Sequence, residues 1–133
     1  MPAPEAVARG FARWWDEWLA EDVRLLVVSD VPTYPASLPE CVAESPKDID
    51  PCAEPRDRVT WPDPIMIAAE RYSDPDLVAL DLIPVLCDED DCHAVIGSMI
   101  THRDSGHLWA GFALTLAPIL APAIVELVPD AFR

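Results

Sequence analysis

Apolar positions recur at three- and four-residue steps near the start of the chain. Val7, Phe11, Trp14, Trp15 and Trp18 fall on one side, with Arg9, Asp16 and Glu17 largely elsewhere. This period predicts an amphipathic helix over residues 4–21, with Pro4 in its first turn. Its tryptophans read as one apolar face packing on a sheet rather than as a carbohydrate platform. The pattern then changes. Val23 to Val28 is a nearly continuous β-rich run, as expected of a strand covered on both faces in a parallel sheet. Leu77 to Ile83 predicts a second buried strand, with Asp81 inside it in a structural role. Val95 and Ile96, then Met99 and Ile100, flank Gly97 and predict a small hairpin or two extended arms.

Leu108 to Val125 carries no charge and has the length of a membrane span. Pro118 and Pro122 interrupt it, alanines dilute it and no basic cluster flanks it, so a core helix over 108–117 is expected. A turn follows, then a second helical piece from Pro118 or Pro122. Between the two strands, prolines at 32, 35, 39, 46, 51, 55 and 62 predict a loop-rich segment over 32–62. Asp63 and Pro64 then read as the N-cap and first turn of a short helix over 65–72.

The chain has 133 residues, enough for one compact domain, and 51% of them are apolar, enough for a core. Its 24 acids against 9 bases leave a net charge of −15. That balance argues against nucleic acid and anionic membrane surfaces as partners. No internal repeat and no glycine-rich phosphate loop is present, and nothing calls for a cofactor. Cys41, Cys52, Cys87 and Cys92 form two local pairs, which fits two short-range disulfides and an oxidising compartment. The N-terminus, however, lacks the basic and apolar regions of a signal peptide.

Three stretches could carry chemistry. Cys87 to His93 reads best as a disulfide-closed acidic loop. Zinc on Cys87, Cys92 and His93 lacks the second ligand pair of a finger, and the acid run lacks the glycine and terminal Glu of an EF-hand. No metal site is expected. Ser29 ends the first strand, where α/β sites gather, but without the glycine setting of a nucleophile turn. The third is Arg103-Asp104-Ser105-Gly106-His107-Leu108. Asp104 could orient His107 as a general base. Equally, Asp104 or Ser105 could cap the final helix, with His107 on the surface of its first turn. His102 could compete for Asp104, or join Asp104 and His107 around a metal.

The ordered set of motifs resembles the end of the extracytoplasmic SGNH-hydrolase-like domain of bacterial membrane acyltransferases of the acyltransferase-3 class. It comprises Leu80-Asp81-Leu82, the Cys87 to Cys92 loop, Ala94-Val95-Ile96-Gly97, Arg103-Asp104-Ser105-Gly106-His107-Leu108 and Leu116-Ala117-Pro118. Val27 to Pro32 with Pro39-Glu40-Cys41 resembles the family's strand and Pro-x-Cys loop. The resemblance runs from about residue 23 onward.

It implies an α/β fold, part of a flavodoxin-like α/β/α sandwich with a short parallel sheet. It makes Asp104 and His107 the catalytic acid and base. It implies acyl transfer or ester hydrolysis through an acyl-serine, on O-acyl groups of cell-surface glycans or lipids. The family's Gly-Asp-Ser nucleophile block and its oxyanion-hole blocks have no counterpart here, so the chain offers no nucleophile. The expectation is one partial domain over 1–133, lacking the N-terminal strands and inactive alone, derived from an exported parent whose signal and anchor it does not carry. It would self-associate, be complemented by an N-terminal fragment, or be poorly soluble. The alternative is a non-enzymatic acidic binding or structural domain.

Overall fold

The computed structural model describes residues 3–45 and 49–133; Met1, Pro2 and the expected loop position Pro46 lie outside the described residues. In chain order the elements are α1 (Pro4–Ala20), β1 (Leu25–Val28), α2 (Leu38–Glu44), β2 (Glu54–Pro55), α3 (Arg56–Val59), α4 (Pro64–Ala69) and β3 (Leu77–Leu80). They continue with α5 (Ile83–Leu86), β4 (Asp91–Cys92), β5 (Val95–Ile96), β6 (Met99–Ile100), α6 (Ala110–Leu114) and α7 (Ala117–Leu127). The fold is mixed α/β. Two compact units divide it: the described residues of Met1–Asp30, Pro62–Asp81 and Pro118–Arg133, and those of Val31–Trp61 and Leu82–Ala117.

In the first unit, β1 and β3 form a two-stranded parallel sheet, Leu25 opposite Leu77 and Val28 opposite Leu80. The expected short parallel sheet is present. Ala8 and Trp15 of α1 share a core with Val27 of β1 and with Ala68 and Ala69 of α4. The alanines let the two helices approach closely. Asp63 caps α4 as expected, its Oδ1 accepting from the Ile65 amide at 2.9 Å, and its Oδ2 accepts from the Asp30 amide at 2.7 Å. Tyr72 directs its hydroxyl at the Ala12 carbonyl and the Asp16 carboxylate. Burial, then the bond to Asp16, pushes the phenol up to about 12.

Only one of the three α1 tryptophans behaves as expected. Trp15 is buried, but Trp14 and Trp18 are 63% and 42% exposed and meet edge to face. Trp14 projects about 100° round the helix from Trp15, so the surface that covers one misses the other. The second strand also ends earlier than expected, at Leu80 rather than Ile83. Pro84 in the first turn of α5 starts a helix there and leaves Asp81 beyond the strand.

The second unit holds both disulfides, Cys41–Cys52 and Cys87–Cys92. The segment over 32–62 is less irregular than its prolines suggest, since it contains α2, β2 and α3. Pro39 sits in the first turn of α2, where a missing N–H breaks no helical bond. β2 pairs antiparallel with β4. β5 and β6 form the expected hairpin, turned by Gly97 at φ 57° and Ser98 at φ 64°. The uncharged run over 108–125 holds α6, shorter than the expected first helix, and then most of α7, which from Pro118 onward belongs to the first unit. Among the described residues no helix is long and apolar enough to cross a membrane.

Candidate active site

Residues 101–109 of the second unit form a narrow loop. Its stem is made by the Trp109 amide donating to Thr101 and the Arg103 amide to His107, and the Thr101 amide ties its start to Ala94, each at 2.9 Å. The tip is closed by Asp104. Its Oδ1 accepts from the amides of Gly106 and His107, both at 2.8 Å. These bonds, the Gly106 amide first, hold the carboxyl down at about 2. Asp104 is therefore an anion at every physiological pH.

The same carboxylate meets the imidazole of His107. Nδ1 stands 2.9 Å from Oδ2 and 3.1 Å from Oδ1. An ionised carboxylate only accepts, so Nδ1 carries the proton. In a neutral ring Nε2 is then the basic nitrogen, and among the described residues nothing hydrogen-bonds to it. That is the tautomer a general base needs. The pair lies open to solvent, with the His107 side chain 70% and that of Asp104 43% exposed. Arg103 Nε lies 3.8 Å from Asp104 Oδ2.

The capping alternative fails, because α6 begins only at Ala110 and its N-cap is Trp109. His102 does not compete for Asp104 either. It is 1% exposed, with Nε2 2.9 Å from the Pro32 carbonyl and Nδ1 2.8 Å from the Thr101 hydroxyl. A metal shared by His102, Asp104 and His107 is thereby ruled out in this arrangement. Zinc on Cys87 and Cys92 is ruled out too, since their sulfurs are bonded to each other. Ser29 is 6% exposed in the first unit, and its amide continues the sheet by donating to Leu80.

A family model described as "SGNH domain (fused to AT3 domains)" matches residues 4–122. The chain belongs to this SGNH domain family. Searches of curated proteins and of solved structures each found no match.

Two features of this SGNH domain escaped the sequence. His93 Nδ1 stands 2.8 Å from Asp50 Oδ2 and Nε2 stands 2.9 Å from Asp88 Oδ2. Asp50 lies inside the Cys41–Cys52 loop and Asp88 inside the Cys87–Cys92 loop, so one imidazole ties the two disulfide loops together. The second is a groove of about 510 Å³ beside the Asp-x-x-His loop, with Met99, Ile100, Arg103 and Trp109 on its walls. The Trp109 ring rests over Gly111, where a Cβ would come within 2.3 Å of it. The Trp-x-Gly spacing was the only sequence signal for that seat.

Proposed function

We propose that this SGNH domain serves acyl transfer or ester hydrolysis through an acyl-serine, with His107 as general base and acid and Asp104 as its orienting anion. The observation that carries it is the fixed Nδ1–Asp104 contact, which leaves Nε2 to accept a proton. A serine hydroxyl would give its proton to Nε2 while its oxygen attacks the acyl carbonyl. Asp104 balances the imidazolium charge. The proton then passes to the departing alkoxide, and an acceptor hydroxyl or water repeats the cycle on the acyl-serine.

The substrates in this proposal are O-acyl groups of cell-surface glycans or lipids. The two disulfides support an extracytoplasmic setting, since such bonds persist in oxidising compartments. The parallel β1–β3 pair would be part of a flavodoxin-like α/β/α sandwich. This sequence has no Gly-Asp-Ser block. The serine and the oxyanion donors would therefore come from a complementing N-terminal segment, which would also cover the open Asp104–His107 pair.

The test mixes the chain with a separately expressed SGNH N-terminal segment that carries a Gly-Asp-Ser block, and follows p-nitrophenyl acetate hydrolysis. The mixture should exceed the sum of its parts, and His107→Ala should remove about 10³-fold or more of that rate. A complex that forms without hydrolysis, or hydrolysis indifferent to His107→Ala and Asp104→Ala, would sink the idea.

A further inference from the structure

The loop that presents Asp104 has little regular structure of its own, yet its geometry is set to within a hydrogen bond. Three contacts reach it from residues 32–38. The Tyr34 amide donates to the Ser105 carbonyl at 2.8 Å, and the Leu38 amide to the Asp104 carbonyl at 3.4 Å. The third is His102 Nε2 to the Pro32 carbonyl, the one contact of the three made by a side chain.

His102 is unusual in being fully specified. The Pro32 carbonyl can only accept, so Nε2 carries a proton and donates it. In the neutral ring Nδ1 is then an acceptor, and the Thr101 hydroxyl donates to it. The Tyr34 ring packs edge to face against the imidazole with centroids 5.1 Å apart, which blocks rotation. Both Thr101 and His102 are almost fully buried. Burial holds the ring neutral by pushing its pKa down. Nothing in the ring is left over for proton transfer, and nothing in it can turn.

We propose that His102 is the positioning residue of the Asp104–His107 pair: its ring anchors the start of the loop to the Pro32 carbonyl and so sets the turn that aims the Asp104 carboxylate at His107 Nδ1. This inference rests on the reading of Asp104 and His107 as an acid–base pair, but it is tested without any nucleophile. An Asp-x-x-His loop freed from this anchor loses the turn in which Oδ1 meets the Gly106 and His107 amides. With it goes the preference of His107 for the Nδ1–H form, because a free imidazole favours Nε2–H.

The experiment is ¹⁵N NMR on the full chain at neutral pH. It compares the wild type with His102→Gln, whose side-chain amide can still donate to Pro32, and with His102→Leu, which fills space and donates nothing. The His107 ring nitrogens report the tautomer directly, and circular dichroism with thiol titration confirms that each variant is folded and disulfide-bonded. His107 should be Nδ1–H in the wild type and in His102→Gln. In His102→Leu it should shift toward Nε2–H, with the Gly106 and His107 amides exchanging about tenfold faster. A folded His102→Leu protein with the wild-type tautomer and exchange overturns the proposal, as does a His102→Gln protein impaired as much as the leucine variant. If the leucine variant does not fold, His102→Met, which keeps a buried side chain of similar length and donates nothing to Pro32, makes the same comparison. An unchanged His107 there is equally decisive against it. Failure of the ester assay with the tautomer pattern as expected would reject the catalytic function and leave the positioning role standing.

Discussion

His93 lies between two carboxylates, Nδ1 2.8 Å from Asp50 and Nε2 2.9 Å from Asp88. Carboxylates offer no proton, so both contacts are hydrogen bonds only when the ring is an imidazolium. The Asp50 bond is the main cause that raises the His93 pKa above 6.5, with Asp88 adding to it and burial opposing. A raised folded-state value means that the stabilisation is complete below about 6.5 and fades as pH climbs through the higher folded value. Comparing urea unfolding of the wild type and His93→Gln should therefore show a difference of about 1 kcal/mol near pH 6, the range of a partly exposed ion pair, that shrinks on the alkaline side. A difference that grows with pH would contradict the imidazolium.

Asp104 has the opposite sign. Its folded-state value is lowered from 3.8 to about 2, so its contribution is present above 3.8 and lost as pH falls toward 2. The Gly106 amide is the largest cause. Gly106→Pro removes that N–H and should raise the midpoint of the Asp104 carboxyl ¹³C titration. Gly106→Ala keeps it and should not, since a Cβ there meets only ordinary contacts with Thr33 at 3.7 Å. Equal midpoints in the two variants would show that the amide is not the cause.

The disulfides differ in the loops they close. Their sequence separations are 11 for Cys41–Cys52 and 5 for Cys87–Cys92. Loop-closure entropy gives about 3 kcal/mol for the first and about 2 kcal/mol for the second. Replacing each pair with serines and measuring urea unfolding should rank them in that order.

Gly111→Ala should unseat the Trp109 ring, because a Cβ cannot coexist with it at 2.3 Å. The ring is 45% exposed and can swing outward, so the cost should sit at the low end of overpacking, about 1 kcal/mol. The tryptophan emission should move to the red. A crystal structure with the indole unmoved would refute the seat.

What the sequence made legible was local. The 3.6-residue period marked α1, Asp63 before Pro64 marked the start of α4, and Gly97 between two apolar pairs marked the hairpin. Asp104 and His107 are three residues apart, and the loop that joins them also makes them meet. The misses were contacts between distant segments. Asp50 and His93 are 43 residues apart, and His102 and Pro32 are 70. No local pattern could announce either. The exposure of Trp14 and Trp18 was missed for a related reason: periodicity says which residues share a side of a helix but not how wide the covering surface is.

Asp63 spends its two oxygens on different elements, one on the first turn of α4 and one on the amide of Asp30 just past β1. One side chain thus links the end of a strand to the start of a helix. Any opening that displaces Asp63 releases both donors, so the Asp30 and Ile65 amides, on segments 33 residues apart in the chain, should share that route of hydrogen exchange. Asp63→Ala removes both acceptors at once, and the Asp30 and Ile65 amides should both lose protection.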